Sequence, residues 1–156
     1  MNYRSGDTYE GDFGEDGRHG RGVSRYSTGE RYEGQWKEDK IHGQGVYTNN
    51  IGDGYNGEWK ENKFHGQGVY TWSSGISYEG AWRDSKRHGQ GVHRFRNGDS
   101  EVGRWVKDRQ QGCFILTKAD GTRYDRTYES DRRVSETPIP HTTPNPERGT
   151  MTVRFA

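Results

Sequence analysis

The sequence predicts an all-β fold in which consecutive β-hairpins form an elongated, single-layer, twisted antiparallel meander. Three observations favour this fold. A glycine recurs every 23 residues from Gly6 to Gly121, and a fixed period of this length is typical of repeat architectures. Within each period, large aromatic residues alternate with polar ones, as they do in β-strands. Short segments rich in Gly, Asn, Asp and Ser separate these stretches and indicate hairpin turns.

The first strand of each repeat is represented by Tyr-Glu-Gly-Gln-Trp at residues 32–36. In an extended strand, Tyr32, Gly34 and Trp36 lie on one face, whereas Glu33 and Gln35 lie on the other. The same alternation recurs 23 residues apart in the other repeats and is partly kept in the last two. Its other members are Tyr9/Gly11/Phe13, Tyr55/Gly57/Trp59, Tyr78/Gly80/Trp82, Gly103/Trp105 and Tyr124/Tyr128.

The second strand of each repeat contains a Gly-x-Gly pair. Its motif is His-Gly-Gln-Gly-Val at 42–46, 65–69 and 88–92, and His-Gly-Arg-Gly-Val at 19–23. Because glycine has no side chain, large rings from neighbouring strands can lie over its backbone. We therefore predict that the Gly-x-Gly pairs seat the tyrosine and tryptophan rings.

Two kinds of turn connect the strands. Turns between repeats carry the recurring glycine, and turns within repeats carry residues that tolerate a positive φ angle. Because both connections are hairpins, the strands are predicted to pair antiparallel in chain order, in about five and a half repeats. The predicted residues of the turns within repeats are Asp16, Asp39, Asn62, Ser85 and Asp108.

Composition excludes several classes of protein. Hydrophobic residues make up only 26% of the chain, below the roughly 45–50% of ordinary globular domains, so a two-layer core is not expected. The net charge of +1 gives no long-range attraction for nucleic acid, and none is predicted as a partner. Cys113 is the single cysteine, which excludes an internal disulfide. With no signal peptide or long apolar run recognised, the expected localisation is cytoplasmic.

The chain is predicted to divide at residue 133. Residues 1–133 form the repeat domain, and residues 134–156 form an extended C-terminal tail that contains all 4 prolines. At its end, Met151, Val153 and Phe155 alternate with polar or small residues, which predicts a possible terminal strand.

The repeated motifs resemble the membrane occupation and recognition nexus (MORN) repeat, over roughly residues 3–128. The resemblance rests on Tyr-Glu-Gly-x-Trp, a turn, and His-Gly-x-Gly-Val-Tyr. The fifth unit departs from it, because Glu101-Val102-Gly103 replaces Tyr-Glu-Gly. The resemblance implies a repeat domain of the kind found in cytoskeletal, ciliary axonemal and membrane-junction scaffolds.

The tyrosines and tryptophans that recur every 23 residues should line up across the sheet, and these rows of rings provide the functional hypothesis. In a single-layer sheet, a strip of Tyr and Trp should remain partly exposed on the concave side and bind an extended or helical segment of a partner protein. This interpretation predicts a scaffold in a cytoskeletal or ciliary assembly; a purely structural role for the rings is the alternative. The predicted groove residues are Tyr32, Trp36, Tyr55, Trp59, Tyr78, Trp82 and Trp105.

Three other functions remain open. Lys40, Lys63 and Lys86 could contact anionic lipid headgroups, as a peripheral membrane module would. The chain could regulate an enzyme in trans, because MORN repeats also accompany lipid kinases and a lysine methyltransferase. Exposed first and last strands could pair two copies of the chain into a homodimer.

No catalytic, cofactor or metal site is predicted. Equivalent residues in adjacent repeats should lie about 9.6 Å apart, too far for one metal ion. Catalysis requires a convergent cluster rather than a regular column. The columns excluded in this way are His19, His42, His65 and His88, and Glu10, Glu33 and Glu79.

Overall fold

The structure is a computed structural model, and it describes residues 5–140. These residues form one 12-stranded sheet in which every strand pairs antiparallel with its neighbours in chain order. The strands are β1 (Thr8–Gly14), β2 (Gly17–Arg25), β3 (Arg31–Lys37), β4 (Lys40–Thr48), β5 (Gly54–Lys60), β6 (Lys63–Thr71), β7 (Ser77–Arg83), β8 (Lys86–Arg94), β9 (Ser100–Val106), β10 (Arg109–Thr117), β11 (Arg123–Glu129) and β12 (Arg132–Ile139).

The predicted all-β meander is confirmed. The sheet is a single layer, and the described part of the chain contains no helix. It follows that residues 5–140 include no helix of the length and apolarity that a bilayer span requires.

The strand register divides the sheet into two faces. Tyr32 of β3 pairs with Tyr47 of β4, which pairs with Tyr55 of β5, so tyrosines from successive strands line up on one face. We call this the aromatic face. Glu33 pairs with Val46, and both are exposed on the opposite side, which we call the second face.

Most predicted turn residues have the expected backbone conformation. Asp39 and Asn62 adopt φ angles of 63° and 67°. The residue immediately before each of them also has a positive φ angle. Turns between repeats place their positive φ on the recurring glycine, such as Gly75 at 88°. The first turn differs from the prediction, because Gly17, and not Asp16, has the positive φ angle there.

The two glycines of each Gly-x-Gly pair have different roles, which corrects our prediction that both seat rings. A Cβ on Gly68 would lie 2.3 Å from the Tyr55 hydroxyl, so this second glycine lies directly beneath the ring. The first glycine, Gly66, has a φ of 54° and faces Glu58 at a bulge between β5 and β6. One glycine permits the ring contact, and the other permits the bulge.

The last strand passes the predicted end of the repeat domain. β12 pairs with β11 as far as Ile139, so the sheet continues beyond residue 133. Pro138 is compatible with this strand, because an edge strand does not need every backbone N–H for pairing. The segment with Met151, Val153 and Phe155 lies outside the described residues.

Candidate partner-binding groove

The structure brings all seven predicted groove residues together on the aromatic face. They belong to one buried cluster and have exposed fractions between 0% and 6%. Trp59 shows how the cluster is built. Its ring lies 5.3 Å from the ring of Tyr32 and 5.2 Å from that of Tyr55, in edge-to-face contact with both. Such contacts stabilise a single sheet that has no second layer.

The polar atoms of most of these rings are satisfied by the backbone. The Tyr55 hydroxyl donates to the carbonyl oxygen of Glu58 at 2.9 Å. The Trp59 indole N–H donates to the carbonyl of Gly45 at 3.1 Å, and that of Trp82 to Gly68 at 3.1 Å. These bonds fix the orientation of each ring relative to the sheet.

The expectation that these rings remain partly exposed differs from the structure. One residue before three of the motif histidines, a long side chain lies against the tryptophan ring of the next repeat. Phe64 stacks on Tyr55 at 3.9 Å and contacts the edge of Trp82 at 5.4 Å. Arg18 and Arg87 lie over Trp36 and Trp105 at 4.1 and 4.0 Å. The covering residues are therefore Arg18, Phe64 and Arg87.

The accessible part of the aromatic face is an outer row of half-buried rings. It forms two adjoining cavities of about 390 Å³ and 290 Å³, which share Phe64 and Ser85. We call them together the candidate groove. Of the seven predicted residues, only Trp59 and Trp82 line it. The other lining residues are Tyr26, Glu30, Ile41, Tyr47, Asn62, Phe64, Tyr70, Trp72, Ser85, Arg87 and Asp108.

The comparison with protein families agrees with this architecture. The MORN repeat matches four consecutive segments, residues 9–31, 32–54, 55–77 and 78–100. The chain belongs to the MORN repeat family. MORN repeats are non-catalytic modules that generally bind proteins or lipids. A search of the curated proteins found no match to the chain.

Three ionisable groups at or beside the candidate groove have shifted pKa values. The Ser73 backbone N–H holds the pKa of Asp53 below its usual value, and this carboxylate accepts a hydrogen bond from the Tyr70 hydroxyl at 3.2 Å. Burial, with Asp53 nearby, raises the pKa of Tyr70 to about 12. Burial and the Arg87 charge lower the pKa of His93, which lies beside the groove.

Among the residues excluded as metal ligands, His88 makes a local hydrogen bond. His88 Nδ1 accepts a hydrogen bond from the Lys107 backbone N–H at 3.3 Å. Across residues 5–140, no three His, Cys, Asp or Glu side chains come together in a way that could hold a metal ion. Two of the lysines considered for lipid contact have acidic neighbours: Lys40 lies 4.0 Å from Glu61, and Lys63 lies 3.7 Å from Asp84.

Proposed function

We propose that this MORN repeat protein is a non-catalytic scaffold that binds a segment of a partner protein in the candidate groove. The observation that carries the proposal is the outer row of half-buried rings, Tyr47, Tyr70 and Trp72, above a floor of buried tryptophans. Tyrosine and tryptophan are favoured at protein interfaces because they bury a large area with little loss of side-chain entropy.

The groove crosses the strands rather than following one of them. Its lining runs from Tyr26, just after β2, to Asp108, just after β9. Across so many strands at about 4.8 Å each, an extended or helical partner segment can contact several repeats at once. Repeated contacts of this kind fit a cytoplasmic scaffold in a cytoskeletal or ciliary assembly, a setting that we propose by analogy with the family.

The test uses neighbouring residues that point to opposite faces. Tyr47→Ser with Trp72→Ser removes two rings of the groove, and Val46→Ser with Thr71→Ala changes the second face one residue away. The full chain and both variants are used to capture proteins from native lysate, followed by mass spectrometry. We expect the groove variant to lose a protein that the control variant retains.

Two results would contradict the proposal. One is equal capture by the groove variant and the control, with both still folded by circular dichroism. The other is saturable binding to phosphatidylserine vesicles that charge reversal at Lys40, Lys63 and Lys86 abolishes, in the absence of any protein capture. That second result would favour the membrane-contact module.

A further inference from the structure

In the first strand of the fifth repeat, a polar residue is buried and an apolar residue is exposed, the reverse of the other repeats. In the first four repeats, a buried tyrosine of the aromatic face precedes a residue of the second face, as Tyr32 precedes Glu33. In β9 the equivalent pair is Glu101, which is 2% exposed, and Val102, which is 43% exposed. A buried carboxylate next to an exposed valine departs from the pattern that the rest of the sheet follows. Such local departures concentrate at functional sites.

The buried residue of this pair, Glu101, has hydrogen-bond and ion-pair partners for its carboxylate. The Glu101 carboxylate accepts hydrogen bonds from Gln110 Nε2 at 2.8 Å and from the Tyr128 hydroxyl at 2.7 Å, and it pairs with Arg126. Arg126 also pairs with Glu136 of β12 at 2.5 Å. Glu101 therefore needs no ligand. The exposed residue of the pair, Val102, is the one without a structural explanation.

Val102 completes a continuous apolar surface. Val92 pairs with Val102, and Val102 pairs with Ile115, so three apolar side chains from β8, β9 and β10 lie side by side on the second face. Elsewhere in this row the valines are separated: Val46 lies between Glu33 and Asn56. The replacement of the usual acidic or amide residue by Val102 joins two isolated valine positions into one patch.

Positive charge without a salt-bridge partner borders the patch. Arg104 follows Val102 by two residues on the same face, and Arg123 lies on β11 opposite Thr117. Neither guanidinium forms an ion pair with another described residue. On one side, Glu79 is paired with Arg94 at 3.0 Å. On the other side, Asp125 of β11 pairs with Ile115 of β10. Among residues 5–140, it is the one carboxylate at the border of the patch that has no ion-pair partner.

We propose that Val92, Val102 and Ile115, with Arg104 and Arg123, form a second docking surface, the fifth-repeat patch. Its occupant is a segment of a partner protein with a short apolar centre flanked by carboxylates. The apolar centre packs on the three aliphatic side chains, and the carboxylates pair with the two free arginines. Because the patch lies on the second face, it is independent of the candidate groove, and the protein can hold two partners at once.

Cys113 provides a direct reporter. It is exposed, is the single cysteine of the chain, and lies two residues before Ile115 on the same face of β10. The full chain is labelled there with an environment-sensitive fluorophore. It is titrated with a synthetic peptide that has a Leu-Val-Leu centre and glutamates on both sides. Two control peptides replace the glutamates by lysine or the apolar centre by serine.

We expect saturable binding of the acidic peptide and at least a roughly tenfold weaker response to either control peptide. Val102→Glu should weaken binding by a similar factor. This variant restores the acidic residue that Glu33 and Glu79 supply in other repeats, so the fold should tolerate it. Val46→Glu, on the same face but outside the patch, is the matched control and should bind like the unmodified chain.

Several outcomes would overturn the proposal. They are the absence of saturable binding by the acidic peptide, and equal weakening by Val102→Glu and Val46→Glu. Binding of phosphatidylserine vesicles that the peptide does not displace would assign the patch to a membrane. A change from dimer to monomer in Val102→Glu by light scattering would assign it to a second copy. None of these outcomes depends on capture by the candidate groove, so the two proposals fail separately.

Discussion

The contact between a tyrosine ring and a glycine recurs in four repeats with nearly the same geometry. A Cβ built on Gly22, Gly45, Gly68 or Gly91 would lie 2.2 to 2.3 Å from a tyrosine hydroxyl oxygen. Each of these tyrosines is nearly or fully buried and held by its hydroxyl, so it has little room to move. The missing side chain of glycine is therefore a packing requirement at these positions.

Gly68→Ala should destabilise the protein by about 2 kcal/mol, the usual cost of forcing extra volume into a packed core. Gly54→Ala is the control, because its Cβ would have its nearest contact at 3.4 Å, and its φ angle is not positive. Chemical denaturation of both variants measures the difference. Equal stability of the two would contradict the interpretation of the ring contact.

The tryptophans of the aromatic face differ in one hydrogen bond. The Trp82 indole N–H donates to Gly68, whereas the buried N–H of Trp105 has no acceptor among the described residues. Trp82→Phe should therefore cost about 1 kcal/mol more free energy of unfolding than Trp105→Phe, since both lose similar ring area. Thermal or urea unfolding tests this, and a larger loss in Trp105→Phe would be the contrary result.

At the scale of the elements, the turns within repeats join each hairpin to the previous one. Asn62 Oδ1 accepts from the Ile41 backbone N–H at 2.8 Å, and the Asn62 N–H donates to the Ile41 carbonyl at 2.9 Å. Asp108 makes the same pair of contacts with Arg87, at 2.8 and 2.9 Å. The turn residue thus combines a positive φ angle with a bond to the start of the preceding second strand.

Asn62→Ala should lower stability by about 1 to 2 kcal/mol, because it removes the acceptor and places a less tolerant residue at positive φ. Ser85→Asn should raise stability by about 0.5 kcal/mol, because the serine bond to Phe64 is 3.2 Å long and asparagine suits this turn better. Urea denaturation measures both changes. A destabilised Ser85→Asn variant would show that position 85 is not equivalent to position 62.

Turns between repeats carry carboxylates that respond to acid. A backbone N–H from Ser73 lowers the pKa of Asp53, and the Lys118 ammonium, with the Ala119 N–H, lowers that of Asp99. A folded pKa below the unfolded value of 3.8 means that this stabilisation is fully present above about pH 4. It is lost as the pH falls further, through the folded pKa.

The free energy of unfolding should therefore decrease below about pH 4. Asp53→Asn with Asp99→Asn keeps an oxygen acceptor at each site but cannot titrate, so its decrease should be shallower. Urea denaturation across an acid pH series compares the two proteins. Parallel pH profiles would exclude these carboxylates as the source of the acid sensitivity.

At the scale of the whole molecule, the sheet behaves as a linear array. Each strand pairs only with its neighbours in chain order, so stability is the sum of hairpins and their interfaces. Among the described strands, β1 and β12 each have a single partner. Every interior strand has two.

Hydrogen exchange should reflect this arrangement. Backbone amides of β5 to β8 should exchange most slowly, and those of β1 and β12 fastest, because unfolding can start from either end. Mass spectrometry of the exchanging chain measures the gradient. Uniform protection from β1 to β12 would indicate a single cooperative unit instead.

Much of this architecture could be predicted because its signals are local and repeated. The glycine spacing determined the strand order, and Asp39 and Asn62 marked turns through their tolerance of positive φ. The cover by Phe64 could also have been predicted, since Phe64 shares its alternation with Tyr70. The prediction began the second strand at the histidine, one residue too late to include it.

Other features depend on distances between repeats that alternation does not contain. Trp36 and Trp59 are buried because rings and cover residues from adjacent hairpins meet over them, and a sequence pattern does not give that overlap. The bond from Asn62 to Ile41 likewise requires the offset between two hairpins. Glu101 and Val102 were visible as a departure, but only the fold shows that Tyr128 and Arg126 of the next repeat bind the Glu101 carboxylate.

The absence of insertions between matched repeats has a geometric consequence. Each hairpin advances the sheet by about 9.6 Å, twice the strand spacing. The length of the candidate groove is therefore set by whole repeats. Excising residues 55–77, one complete matched unit, would shorten the sheet by one such step and would remove Trp59, Phe64, Tyr70 and Trp72 from the groove. Gain or loss of units thus changes the length of partner segment that the groove can bind.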